Sequence, residues 1–154
     1  MAFKKDTATH RKWLHWHNSV KRELENLLPQ GARSEKEYHL GKEMKWGHLD
    51  SYKPDVTCEI GNRRMFFEGE YFYQQDKIID DIISASIVGI DQLVFIFNNK
   101  VEPKSGWNGE KRVRATEYLA EVIGELVSKP ISVKAIAIEE AEELRQRLEQ
   151  IGVL

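Results

Sequence analysis

Among the 25 acidic residues of the chain, Asp55, Glu68 and Glu70 are set apart by their spacing. Pro54 to Ile60 alternates, with Asp55, Thr57 and Glu59 on one side and Val56, Cys58 and Ile60 on the other. Gly61-Asn62 is a two-residue hairpin signal. Arg63 to about Phe72 alternates in return, setting Arg64, Phe66, Glu68 and Glu70 against Met65, Phe67, Gly69 and Tyr71. With Gly61 and Asn62 as the loop, Ile60 faces Arg63, Glu59 faces Arg64 and Asp55 faces Glu68. Directly opposed side chains have Cβ atoms about 4.5–5.5 Å apart, and Glu70 follows on the same face by the period of two. Opposed carboxylates repel unless something neutralises them. A hard divalent cation does so: Mg²⁺ takes one or two carboxylates, keeps several waters and completes its shell with phosphate oxygens. It can polarise phosphorus and activate water for hydrolysis. A wet, acidic sheet face is the other reading of the same spacing, and Phe66 on that face argues for partial cover.

The elements around this hairpin must position it. A helix is expected from about Thr9 to Leu28, stopped by Pro29 and Gly31, with Trp13, Trp16, His17, Val20, Leu24, Leu27 and Leu28 on one stripe. The stripe makes the tryptophans packing residues and His17 a hydrogen-bonded packing residue, whereas His10 and His15 could touch phosphate. Residues 35–50 read as one or two short strands. After the hairpin, a helix spans about Gln75 to Val88 and is closed by Gly89. The continuous apolar run 93–97 is a strand buried on both faces, so the helix before it reads as a parallel crossover. Residues 98–114 read as a polar loop, followed by a helix from about Thr116 to Ser128, a strand from Ile131 to Ile138 and a final amphipathic helix. The expected fold class is α/β, one domain over 1–154, a mixed central sheet with helices on both faces.

Length and composition agree. The 154 residues suffice for one core, and 41% hydrophobic with 31% charged residues is ordinary for a globular domain. No apolar run approaches the roughly 20 residues of a membrane span, and no signal segment is evident. Cys58 stands alone, which excludes an internal disulfide and points to a reducing, cytoplasmic setting. The net charge of -2 is neutral on nucleic acid. The first 22 residues, however, are basic and the last stretch is acidic.

Pro54-Asp55, then twelve residues, then Glu68-Gly69-Glu70 on a following strand resembles the PD-(D/E)xK nuclease superfamily, in its restriction-endonuclease-like arrangement. That arrangement is a helix, three antiparallel strands, a helix and a parallel strand; the resemblance covers about residues 9–97 and leaves the last third as decoration. It implies that Asp55, Glu68 and Glu70 bind Mg²⁺ or Mn²⁺ and that the substrate is DNA. Glu70 stands where the family has lysine. The resemblance leaves three outcomes: Glu70 assists the attacking water, Lys77 on the next helix supplies a migrated lysine, or the chain is an inactive binding module. A glutamate of the first helix is expected near the metal, with Glu23 the choice and Glu35 the weaker candidate. Lys104, Lys111, Arg112 and Arg114 are candidate phosphate contacts, and Trp107 either stacks on a base or pins its loop. A homodimer and a larger DNA-processing complex both remain open. The final helix offers Leu144, Leu148, Ile151 and Leu154 for a dimer or, preferentially, for packing on the sheet.

Overall fold

The computed structural model describes residues 7–28, 32–34, 36–40, 51–99 and 107–154. The first helix, α1 (Thr7–Leu27), is followed by three two-residue strands, β1 (Arg33–Ser34), β2 (Tyr38–His39) and β3 (Ser51–Tyr52). Then come β4 (Val56–Ile60), β5 (Arg63–Glu70), α2 (Gln75–Val88), β6 (Gln92–Asn98), α3 (Gly109–Leu126), β7 (Ser132–Ile138) and α4 (Leu144–Gln150), the last preceded by a 3₁₀ turn at Ala141–Glu143. Five strands form one sheet in the order β1-β4-β5-β6-β7, while β2 and β3 pair in a separate ribbon. β4 is antiparallel to β1 and β5; β6 is parallel to both β5 and β7. The class is therefore α/β with a mixed sheet.

The hairpin has the register read from Gly61-Asn62. Val56 pairs with Phe67, Cys58 with Met65, Glu59 with Arg64 and Ile60 with Arg63. Gly61 takes the positive φ of 62° that a tight hairpin turn requires. Because the pleat alternates, the sheet has two dry faces. Met65, Phe67, Val94, Ile96 and Ile136 pack against Trp16, Val20 and Leu24 of α1 and Leu144 and Leu148 of α4. Phe66, Leu93, Phe95 and Phe97 pack against Ile78, Ile82 and Ala85 of α2 and Ile123 of α3. The β2–β3 ribbon closes over Phe66 through Tyr38 and Tyr52, with ring centroids 4.9 and 5.7 Å away. Leu144 and Leu148 of the final helix are thus core residues, as packing on the sheet requires.

One boundary differs from the sequence reading. Residues 109–114 are not loop but the first turns of α3, which starts seven residues before Thr116. Asn108 caps that helix, its side chain accepting from the Lys111 N–H at 3.0 Å. Gly109 makes the early start possible. A Cβ there would lie 2.4 Å from the Ala137 Cβ and 3.1 Å from the Asn99 Cα, so only glycine lets the helix end seat between β6 and β7. Gly109→Ala is expected to destabilise the fold by about 1–3 kcal/mol through overpacking, despite alanine's better helix propensity. Urea unfolding of the two proteins measures this, and an unchanged midpoint would refute the seating argument.

Candidate metal centre

β5 and α2 together build a buried acidic cluster. Glu68 and Glu70 project from the α2 face of β5 and are 3% and 6% exposed. Lys77 and Asp81, one turn apart on α2, meet them from above the sheet. Oxygens of Glu68, Glu70 and Asp81 lie within 4.8 Å of one another. The Lys77 ammonium bends into this group, donating to Asp81 Oδ2 at 3.2 Å, to Glu68 Oε2 at 3.4 Å and to Glu70 Oε1. The other Glu68 oxygen, Oε1, accepts the Asp55 backbone N–H at 2.8 Å. Glu68 therefore ties the start of β4 to the start of α2.

Asp55 sits beside this group but turns away from it. It precedes the first ladder pair, so the pleat does not dictate its rotamer. Its Oδ2 accepts the Gly69 N–H at 2.8 Å and lies 3.1 Å from His17 Nε2 of α1. That oxygen is 3.7 Å from where a Cβ on Gly69 would stand, which places it towards the α1 face rather than the α2 face. The three closely grouped acids are thus Glu68, Glu70 and Asp81, with Asp55 as a flanking carboxylate. His17 is the hydrogen-bonded packing residue expected of it, stacked on Trp13 with ring centroids 5.4 Å apart.

Burial dominates the electrostatics. It pushes Glu68 well above the usual carboxylate range, aided by Asp81 and Asp55 and opposed by Lys77. Burial likewise raises Glu70 to about 7 against the pull of Lys77, and raises Asp81 against Lys77 and a hydrogen bond with Glu68. Asp55 goes the other way. Burial would raise it, but the hydrogen bond and charge of His17, the Gly69 N–H and Lys77 together hold it low. The three acids keep Lys77 firmly protonated despite its partial burial. Tyr52, only 6% exposed, is raised by burial and then by Glu68, Asp81, Asp55 and Glu70, so its hydroxyl stays protonated. It is a buried donor near four acids with no hydrogen-bond partner among the described residues; the Ser84 hydroxyl, one turn beyond Asp81, is likewise buried without a partner there.

The remaining expected site residues are scattered. Glu23 is half-buried on α1, about 9 Å along the axis from His17, the α1 residue that does reach the cluster's edge. Arg112 is corrected from surface contact to internal clamp. It is 1% exposed, and its Nη1 donates to the backbone oxygens of Asn98 at 2.9 Å and Tyr71 at 3.2 Å, pinning the ends of β6 and β5. Lys111 and Arg114 are exposed on α3 rather than on a loop. Trp107 packs on Tyr73, ring centroids 5.0 Å apart. Lys104 and Glu35 lie outside the described residues. Asp81 was missed, although a signal existed: Lys77, Asp81 and Ser84 repeat at i, i+4 and i+7 beside the apolar stripe of Ile78, Ile82 and Ala85. Comparison with protein-family models, characterised proteins and solved structures finds no match for this chain. Among the described residues, no helix is long and apolar enough to cross a membrane.

The pKa directions predict an unusual stability profile. Acids raised in the fold hold protons that the unfolded chain releases near its ordinary 4.5, so their stabilisation fades as pH climbs from there through about 7. The lowered Asp55 acts oppositely, losing its contribution as pH falls below the ordinary carboxylate range. Without divalent ions, Tm should therefore peak near pH 5 and fall by several degrees by pH 8. The slope should flatten in Glu70→Gln, whose amide cannot titrate. A Tm that rises steadily from pH 5 to pH 8 would contradict this.

Proposed function

We propose that the chain is a divalent-metal-dependent nuclease that hydrolyses phosphodiester bonds in DNA, a divergent member of the PD-(D/E)xK superfamily with its lysine moved from β5 to α2. The observation that carries this reading is Lys77: its ammonium reaches the same carboxylates that flank the position where the motif lysine would stand. The order helix, antiparallel hairpin, helix and parallel strand supports it.

The residues present fit a hard cation. All donors of the cluster are carboxylate oxygens, the set suited to Mg²⁺ or Mn²⁺ and poorly suited to softer metals. A divalent ion would displace the protons that burial makes these acids hold and offset the charge so exposed. Glu68, Glu70 and Asp81 would hold it, with Asp55 close by. When bound, it would supply Lewis-acid stabilisation of the phosphorane charge and a more acidic water. Lys77, an exposed residue with a flexible stem, holds the attacking water or a phosphate oxygen once its acids have another cation to satisfy. Glu70, the acid in the motif-lysine position, accepts the proton of that water. The Tyr52 hydroxyl donates to oxygen brought into the cluster. His17 keeps Asp55 ionised and oriented. Homodimerisation, or assembly into a larger DNA-processing complex in the cytoplasm, would bring a second site or further sequence-reading surface to the substrate.

A second reading rests on the same lysine. Lys77 already bridges the acids, so the cluster could be an internal ionic lock in a module that binds without cutting. Calorimetry with Mn²⁺ and a cleavage assay on supercoiled, branched and single-stranded DNA separate the two. The nuclease reading expects Mn²⁺ binding, cleavage with Mg²⁺ or Mn²⁺, and binding without turnover in Ca²⁺. Glu70→Gln, Asp81→Asn and Lys77→Ala should each lower the rate by about 100-fold or more, in line with loss of a proton-transfer group or charge clamp. No cation binding and intact DNA throughout would establish the lock instead.

A further inference from the structure

We propose that a basic cavity beside the acidic cluster binds the sugar-phosphate backbone of the nucleic-acid strand. The inference rests on the nuclease reading for the identity of its ligand. The cavity, about 590 Å³, is lined among others by Arg33, Lys36, Tyr38, Thr57, Glu59 and Arg64. Its volume lies in the range of ligand sites, about 300–1,000 Å³. Three cations face one acid there. Although Glu59 pairs with Arg64 in the ladder, neither Arg33, Lys36 nor Arg64 forms an ion pair among the described residues. Lys36 instead rests over the Tyr38 ring, 5.1 Å from its centroid. Glu59 in the lining and Asp91, whose Oδ2 accepts the Arg64 backbone N–H at 2.7 Å, are acids beside these cations, and neither forms an ion pair with them among the described residues; such a cluster suits an anion, and guanidinium groups match phosphate with paired hydrogen bonds.

Register ties this cavity to the acids. Arg33 pairs with Thr57 and Thr57 with Phe66, so these three form one row across β1, β4 and β5, on the α2 face. Glu68 is the next residue of β5 on that face, about 7 Å along the strand. Arg64 lies one row the other way, about 14 Å from Glu68. A nucleic-acid strand advances about 3.4 Å along its axis per nucleotide, so roughly four nucleotides span from Arg64 to the cluster. A polyanion resting its phosphates on these cations would reach Glu68, Glu70 and Asp81 by passing around the β2–β3 ribbon that covers Phe66, a path longer than this straight distance. Tyr38, half-buried against Phe66, offers a ring edge to a base. An acidic peptide matches the cations equally but brings nothing for the acids to act on.

The test is fluorescence anisotropy of a labelled oligonucleotide of about 20 residues, single-stranded and duplex, in Ca²⁺ over a series of salt concentrations. Arg33→Ala/Arg64→Ala should weaken binding by about tenfold or more. The salt dependence of log K should become shallower by about 1.4–1.8, the loss of two phosphate contacts. Arg145→Ala/Arg147→Ala, an equal charge change on α4 at the opposite face, should bind within about twofold of wild type. All four arginines are exposed or on surface strands, and matching Tm values confirm intact folds. The proposal is overturned if the wild type does not bind, if the groove pair binds like wild type, or if the α4 pair loses as much. Displacement by poly-glutamate as effective as by unlabelled DNA also overturns it and reassigns the cavity to acidic peptides. Cleavage with Mg²⁺ is read separately. Binding through the groove without cutting sinks only the nuclease reading; cutting with an unaffected groove variant sinks only the groove.

Discussion

Three carboxyl groups within 4.8 Å of one another, all buried, persist in this fold because one ammonium bends in among them. At an effective dielectric of about 20, a charge pair is worth about 5 kcal/mol at the Lys77 contacts and about 3.5 kcal/mol at the outer separation of the acids. The attractions to Lys77 exceed repulsions at that outer separation, and the cost of burying the charges is set against both. Desolvation decides the outcome, and the acids answer by holding protons. The rest of the architecture serves that balance. β5 must keep its register, because a slip of one residue would turn Glu68 and Glu70 onto the face of α1, away from Lys77. α2 must enter at Gln75, so that Lys77 and Asp81 fall over the strand end one turn apart.

Much of this was legible. Gly61-Asn62 determined the hairpin, and the hairpin determined that Glu68 and Glu70 share a face with Phe66. The boundaries of α2 followed from the isoleucine periodicity and Gly89, which takes the left-handed conformation at φ 81°. Asp55 shows where the reading stopped. Strand parity assigned it to the α2 face, but parity holds only inside the ladder. At the strand's edge a backbone N–H and a histidine offered better partners than two like charges. Asp81 was hidden for another reason: a polar residue on a helix bordering an apolar stripe reads as surface until the sheet beneath is known to carry acids there.

The start of α3 was illegible for a steric reason. A polar, glycine-containing stretch reads as loop, and nothing local announces that Ala137 and Asn99 leave room for a helix end without a Cβ. Once α3 begins at Gly109, Arg112 points inward, and the charge that looked available for phosphate is used on the carbonyls of Tyr71 and Asn98. These carbonyls lie at the ends of β5 and β6, just past Glu70 and Phe97. The clamp therefore fixes the strand end that carries the acidic cluster. A residue chosen for direct contact proves to hold the site's frame.

Phe66 explains how opposite charges coexist on one sheet face. It is fully buried between the row of Glu68 and the row of Arg64, with Tyr38, Tyr52 and Ile78 packed around it. Among the described residues Lys77 alone forms ion pairs with Glu68, Glu70 and Asp81, and the aromatic wall fills the space between those acids and the arginines. An arginine collapsed onto Glu68 would also compete with Lys77 for the same oxygens. The aromatic wall keeps the two fields separate at a spacing of about one pleat repeat on either side. The hydrophobic residue that first argued against a solvated face is thus also what keeps that face electrostatically divided.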